Sequence, residues 1–320
     1  MKKALITLAA ASTIAIATPS HAGFFSDYFS YTKTKHPIVL VPGIFAFDTI
    51  AGVDYWYQIP SSLESRGAEV HVAKINAFDS SAMRGETLIA QMEEIKAASG
   101  GSVSKFNVMG HSQGGMTARY VMNVRPDLVA SVTTMATPHT GSPIADLVTD
   151  TAPPRSVQGV LFEVFANAVG DLVNLLSDNK KDKSDIYAML GEFNEVGAAE
   201  FNATYPMGLP ATACGTGPSE VTINGNNIKL YSWGGAGHLT GGLDISDPLF
   251  AITGLAFESG VKNDGVTGVC ANHFGKVLRD DYFMNHLDIN NHVLGLVSLF
   301  ETNPKTVFKN QANRLKKAGL

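Results

Sequence analysis

Short apolar runs alternate with amphipathic stretches along the chain, and the two periods assign the elements. Residues 37–41, 69–73, 103–109, 131–135 and 228–233 are short runs rich in β-branched and aromatic residues, and they predict strands. Residues 85–98 instead place Leu88, Ile89, Met92 and Ile95 on one helical face. Strands separated by helices predict an α/β fold with a mainly parallel central sheet flanked by helices. In such open sheets functional groups gather at the carboxyl ends of strands. The loops after Val41, Met109 and Met135 are therefore the ones to search.

The rhythm stops between Asp146 and Tyr205, where a mostly helical insertion is expected. Val160, Leu161, Val164, Phe165, Ala168, Leu172 and Leu176 fall at helical spacing there, and Val169, Val173 and Leu175 widen the apolar face. Two readings stand: a cap packed permanently on the sheet, or a lid whose underside opens onto an oily ligand. Near the carboxyl terminus, residues 289–300 read as a further apolar helix. The basic residues Lys305, Lys309, Arg314, Lys316 and Lys317 read as the solvated face of a final one.

At the amino terminus Lys2 and Lys3 precede an apolar run over 4–17 and then Pro19-Ser20-His21-Ala22, the pattern of a secretory signal over 1–22. The run is shorter than the ~20 residues a bilayer requires, so no stable membrane insertion is expected. Residues 23–320 then form one α/β domain carrying the insertion at about 146–205. The chain has 24 basic and 29 acidic residues, a net of −5. Loss of Lys2 and Lys3 leaves 22 against 29, about −7, which argues against a nucleic-acid partner. The two cysteines, Cys214 and Cys270, both lie in the exported part and predict one disulfide. Closing the loop between them stabilises the fold by about 4 kcal/mol in the chain-entropy model.

Gly110-His111-Ser112-Gln113-Gly114 places a serine between a predicted strand and a helical stretch over 116–122. That context makes it a nucleophile elbow, a tight turn that lifts a serine clear of the sheet. Serine needs a histidine to take its proton and a carboxylate to orient that histidine. In this architecture the chain order is serine, acid, histidine. His139, His238, His273, His286 and His292 follow the serine, and His286, in Asn285-His286-Leu287-Asp288, is the best placed. Asp264, in the turn-forming Asn263-Asp264-Gly265, is the leading acid, in competition with Asp244, Asp247, Asp280 and Asp281. Two backbone N–H groups are needed to hold a developing oxyanion. Gln113, after the serine, supplies one, and Ile44, in Pro42-Gly43-Ile44-Phe45, the other.

Taken with Ile38-Val39-Leu40-Val41-Pro42-Gly43, Gly52-Val53-Asp54-Tyr55-Trp56, Ala136-Thr137-Pro138-His139-Thr140-Gly141-Ser142 and Met284-Asn285-His286-Leu287-Asp288, the elbow closely resembles the Pseudomonas-type secreted triacylglycerol lipases, subfamily I.1. The likeness covers nearly all of the chain after residue 22. It implies an α/β-hydrolase fold with a helical lid, Ser112 as nucleophile, His286 as base, Asp264 as acid, and a Cys214–Cys270 disulfide. It also implies a structural calcium held by the side chains of Asp244 and Asp288 and the carbonyls of His292 and Leu296. Oxygen-only ligands suit that cation, and tying Asp288 down would fix the loop that carries His286. A lipase-specific foldase in the periplasm, followed by type II secretion, is implied as well. Three positions depart from the pattern. Pro42 stands where the family usually has histidine, His292 where glutamine is common, and Ile289 where an acidic residue is usual.

The resemblance thus implies an extracellular serine esterase acting on water-insoluble triacylglycerols. A carboxylesterase or polyester hydrolase with the same triad is the alternative. A silent hydrolase fold serving as a binding protein would show a missing triad member or a broken elbow, and neither is present.

Overall fold

A computed structural model describes residues 28–44, 49–50, 53–149 and 190–320. Strand β1 (Ile38–Val41) is buried along its whole length, as a strand covered on both faces must be. A two-stranded ribbon, β2 (Thr49–Ile50) with β3 (Val53–Asp54), and a short helix, α1 (Ile59–Glu64), follow it. Next come β4 (Val70–Val72), α2 (Ser81–Ala98), β5 (Phe106–His111), α3 (Gln113–Val124), β6 (Val129–Met135) and α4 (Pro143–Thr149). At the carboxyl end of the insertion lies α5 (Glu195–Thr204), and beyond it β7 (Glu220–Ile223), β8 (Asn226–Gly235), α6 (Asp247–Thr253), β9 (Lys276–Tyr282) and α7 (Pro304–Lys317).

The main sheet has the order β4-β1-β5-β6-β8-β7, with β9 also paired to β8. Every pairing in it is parallel except β7 with β8. The far edge of β8 is shared: β7 pairs with Asn226 to Lys229, and β9 with Tyr231 to Gly235. Because β1, β5, β6, β8 and β9 point the same way, their carboxyl ends open at one rim of the sheet.

Alternation along β1 shows how the helices are held. Val39 and Val41 join the cluster under α2 and α3 with Leu88, Ile89, Met92, Val121 and Met122. Ile38 and Leu40 join the opposite cluster with Ile59, Leu63, Trp233, Phe308 and Leu315, under α1 and α7. Successive residues of a strand face opposite sides, so a run of four apolar residues supplies both cores.

Five expected strands are present, with ends shifted by a few residues, and the helix expected at 85–98 is α2. The final helix is α7. Of its basic residues only Lys317 is exposed; Lys305, Lys309, Arg314 and Lys316 are half-buried, and Val307, Phe308, Ala312 and Leu315 are buried. The helix expected over 289–300 is not formed. That stretch is turns plus one 3-10 turn, Val293–Gly295, with positive φ at Asn291, Val293, Leu294 and Gly295. Four left-handed residues in five cannot continue a right-handed helix. The Cys214–Cys270 disulfide is formed. The expected signal over 1–22 and the apolar stripe from Val160 to Leu176 lie outside the described residues.

Phe308 is fully buried and packs edge-on against Trp56 and Trp233, clamping α7 to the sheet. Phe308→Ala is expected to cost about 3–5 kcal/mol of stability, read as a lowered urea midpoint at unchanged slope.

Candidate active site

The turn from β5 into α3 sets the site. Ser112 has φ 55° and ψ −128°, a conformation an L-residue avoids, and its N–H is held by the Met135 carbonyl at 2.8 Å. The sharpness of the turn follows from close approach: a Cβ on Gly114 would run into the Val41 carbonyl. His286 lies across from the turn, after β9. Its Nε2 is 3.0 Å from Ser112 Oγ, and its Nδ1 is 2.9 Å from Asp264 Oδ2. All three side chains are buried.

The acid is fixed by its own loop. Asp264 Oδ1 accepts the N–H groups of Val266 at 2.9 Å and Thr267 at 2.6 Å, and the Asp264 carbonyl accepts the His286 N–H at 2.9 Å. Thr267 Oγ1 donates to the Ala136 carbonyl at 3.0 Å, tying this loop to the end of β6. With a carboxylate at Nδ1, the neutral imidazole carries its proton there and turns the Nε2 lone pair toward Ser112 Oγ. A hydroxyl, a base and an acid so aligned can run nucleophilic acyl transfer.

The competing residues are engaged elsewhere, except His292, which is buried with neither ring nitrogen hydrogen-bonded among the described residues. His139 is buried with Nδ1 facing Arg119 at 3.1 Å and Nε2 facing Thr134 Oγ1 at 3.0 Å, and burial pushes its basicity far down. His273 sits between the Gly215 carbonyl and Asp280, His238 against Asn263, and Asp281 on Arg279. Asp247 accepts from Thr240, Gly241 and Asn285.

Ile44 lies in the loop after β1, and Gln113 is the first residue of α3, where a helix leaves its N–H groups without intrahelical partners. The loop holding Ile44 is anchored by a buried arginine. Arg84 donates to Gln113 Oε1 at 2.8 Å, to the Gly43 carbonyl at 3.4 Å and to the Pro42 carbonyl. Burial lowers its pKa to about 10. Pro42 has no N–H to offer, yet its carbonyl and both backbone groups of Gly43 are held. Sequence reasoning missed Arg84. No motif marks it, since most of its partners are backbone carbonyls.

Tyr55 and His111 were also missed as site residues. Tyr55 Oη accepts the Gly43 N–H at 2.8 Å and lies 2.6 Å from His111 Nδ1, while His111 Nε2 lies 2.9 Å from the His286 carbonyl. Burial, and then the neighbouring His286, hold the His111 pKa well below the ordinary histidine value. Their sequence signal is motif membership, His111 in the elbow and Tyr55 in Gly52-Val53-Asp54-Tyr55-Trp56, and neither motif tells the role.

Beside Ser112 a narrow cleft, with a cavity volume of about 20 Å³, is walled mainly by Ile44, Pro138, Ile144, Leu190, Phe193 and Val266. Its walls are apolar, suited to hydrocarbon.

Of the four positions considered for calcium, Asp244 and Asp288 are brought together although they are far apart in the chain. Asp244 and Asp288 are buried and share Asn285, whose Nδ2 donates to Asp244 while its N–H donates to Asp288. Burial, with the carboxylates of Asp244 and Asp247 adding to it, raises the Asp288 pKa to about 7. Among the described residues no group of three or more His, Cys, Asp or Glu side chains is arranged to hold a metal. The set at issue contains only two such side chains, the rest being carbonyls.

Comparison with known proteins gives the fold and the family. Residues 36–217 match the family model for the alpha/beta hydrolase fold. A triacylglycerol lipase of Vibrio cholerae is 46% identical over 323 residues, covering 100% of both chains. One from Burkholderia plantarii is 36% identical, covering 99% of this chain and 95% of its own. The crystal structure of the Bacillus licheniformis lipase BlEst2 in its mature form shares the fold at a TM-score of 0.59 and 17% identity, covering 88% of this chain and 93% of that one. The chain belongs to the α/β-hydrolase family and, within it, to the triacylglycerol lipases.

A Cβ at residue 43 would lie 2.6 Å from Ser112 Cβ and 3.1 Å from its Oγ. Gly43→Ala is therefore expected to lower kcat on a soluble ester by about 100-fold or more while the folded protein survives, checked by kinetics beside a thermal melt.

Proposed function

We propose that the protein is a secreted lipase of subfamily I.1 type that hydrolyses triacylglycerols through Ser112, His286 and Asp264. The observation that carries this reading is the buried line from Ser112 Oγ to His286 Nε2 at 3.0 Å and from Nδ1 to Asp264 at 2.9 Å, beside an apolar cleft. Ser112 Oγ attacks the ester carbonyl as His286 Nε2 takes its proton. Asp264 stabilises the imidazolium and keeps its ring turned. The N–H groups of Ile44 and Gln113 receive the oxyanion. Collapse of the tetrahedral intermediate breaks the ester C–O bond, and His286 returns the proton to the departing alcohol. Water activated by His286 then attacks the acyl-serine and frees the fatty acid.

The acyl chain enters the cleft between Ile44, Ile144, Phe193 and Val266. The insertion at about 146–205 serves as a lid over it, in a single α/β domain spanning 23–320. Residues 1–22 direct export, and a foldase in the periplasm brings the chain to its active form before release outside the cell. No helix of the described residues is long and apolar enough to cross a membrane.

Calcium fits the chemistry at Asp244 and Asp288. Two buried carboxylates in mutual repulsion gain from a hard cation, and the carbonyls of His292 and Leu296 supply further oxygens. Bound there, the ion would brace the loop that holds His286 in line.

The enzyme co-produced with a foldase is expected to release fatty acid from a long-chain triglyceride emulsion, and Ser112→Ala to fall to background. Wild-type rates from Ser112→Ala would remove the mechanism. Background rates on the emulsion with turnover of short soluble esters would move the assignment to a carboxylesterase or polyester hydrolase.

Calcium dependence has a sign set by Asp288. Its native pKa of about 7 lies above the ordinary value of 3.8, so the metal-free fold binds a proton and loses stability as pH rises through that window. Bound calcium would keep the Asp288 carboxylate ionised and offset the loss. The rise in Tm on adding calcium to chelator-treated protein is expected to be larger at pH 8 than at pH 5, by calorimetry.

A further inference from the structure

The loop at 43–44 and the loop that carries His286 come from opposite ends of the chain, and two buried side chains join them. The Gly43 N–H donates to Tyr55 Oη at 2.8 Å, Tyr55 Oη lies 2.6 Å from His111 Nδ1, and His111 Nε2 lies 2.9 Å from the His286 carbonyl. Valence fixes the direction of every bond. A carbonyl only accepts, so His111 Nε2 carries a proton. A neutral imidazole then leaves Nδ1 as an acceptor, and the Tyr55 hydroxyl must donate to it. One lone pair of that hydroxyl takes the Gly43 N–H. The whole series runs one way, Gly43 to Tyr55 to His111 to His286, with no charge and every donor used. Bonds in such a series strengthen one another in a dry interior.

Nothing else in the neighbourhood repeats this connection. Arg84 holds the carbonyls of Pro42 and Gly43 from the Gln113 side, so only Tyr55 holds an N–H of this loop from the side of the base, among the described residues. The backbone around Tyr55 is itself tied to the loop beyond His286. Asn290 Nδ2 donates to the Tyr55 carbonyl at 2.8 Å, and Asn291 Nδ2 to the Tyr57 carbonyl at 2.6 Å. The His111 ring also packs on the His286 ring, with centroids 4.8 Å apart.

We propose that Tyr55 and His111 are positioning residues for ester hydrolysis, a directed hydrogen-bond chain that sets the oxyanion-donor loop at a fixed height against the His286 base. This rests on the roles given above to Ser112, His286, Ile44 and Gln113. Neither residue touches the ester. Each acts by holding two devices that must engage one tetrahedral centre at once, where a shift of ~1 Å can cost about 100-fold. The effect is on the transition state and therefore on kcat, with substrate binding in the apolar cleft left alone.

The test measures kcat and KM on a soluble short-chain p-nitrophenyl ester, with a thermal melt for each protein, for wild type, Ser112→Ala, Tyr55→Phe, His111→Leu, His111→Gln and the double variant Tyr55→Phe/His111→Leu. Tyr55→Phe and His111→Leu are each expected to lower kcat by about 10- to 100-fold with KM nearly unchanged. His111→Gln recovers most of the rate, because a carboxamide offers one acceptor and one donor over a similar span. The double variant is no slower than the slower single one, since the chain is already broken. Wild-type kcat in Tyr55→Phe beside an inactive Ser112→Ala overturns the positioning role and leaves the triad standing. An active Ser112→Ala overturns the triad itself. Losses that add in the double variant also overturn the chain. Should His111→Leu not fold, nitrogen-15 spectra of the wild-type histidines decide: a neutral His111 protonated at Nε2 is required, and protonation at Nδ1 contradicts it.

Discussion

The backbone at Ser112 is the constraint from which the rest of the site follows. A φ of 55° with a ψ of −128° costs of order 1–3 kcal/mol for a residue with a side chain, and it persists only where the surroundings hold it. Here they do so from both neighbouring strands. The Ser112 N–H is bound by the end of β6, and α3 passes so close to the end of β1 that residue 114 has room for no side chain. The strain has a product. It turns Ser112 Oγ out of the sheet toward His286 and leaves the Gln113 N–H at the head of a helix, where it can face the same reacting atom.

The other groups reach this point from three further segments, the loop after β1 and the loops of Asp264 and His286, and each is braced by polar side chains that take no part in the chemistry. Arg84 binds the carbonyls of the loop after β1, Thr267 pins the acid loop to β6, and Tyr55 with His111 spans from Gly43 to His286. Asn285 collects the far side: its Oδ1 accepts the N–H groups of Leu287 and Asp288, and its Nδ2 reaches Asp244, Ser246 and Asp247. These bonds are buried, where losing one partner leaves the other unsatisfied at a cost of about 1–3 kcal/mol. The candidate site is therefore rigid through its supports as well as its strands.

Much of the fold was legible because β1, β5, β6 and β8 are short apolar runs with no competing reading. Two strands escaped for different reasons. β7 and β8 are joined by Asn224-Gly225, both with positive φ, which is a hairpin signal that was present in the sequence and not used. β9, Lys-Val-Leu-Arg-Asp-Asp-Tyr, carries four charges and becomes a strand by pairing with β8, a tertiary cause no local pattern shows. The stretch over 289–300 misled in the opposite sense. Its apolar residues fit a helix, but Leu299 and Phe300 are almost wholly exposed and the chain turns instead. In the site, Ser112, Asp264 and His286 could be named from motif, turn chemistry and chain order. Tyr55, His111 and Arg84 could not, because the contacts that give them a role join segments brought together only by the fold.

The central claim is that the strained serine, facing a buried histidine, is the group that forms the covalent intermediate. An alkyl p-nitrophenyl phosphonate, which reacts with an activated serine and leaves a stable adduct, tests it by peptide mass spectrometry alongside residual activity. The account predicts one adduct per chain, on the peptide containing Ser112, with activity lost in proportion to labelling. Loss of activity with the adduct on any other residue, or full activity from a chain labelled at Ser112, would contradict it.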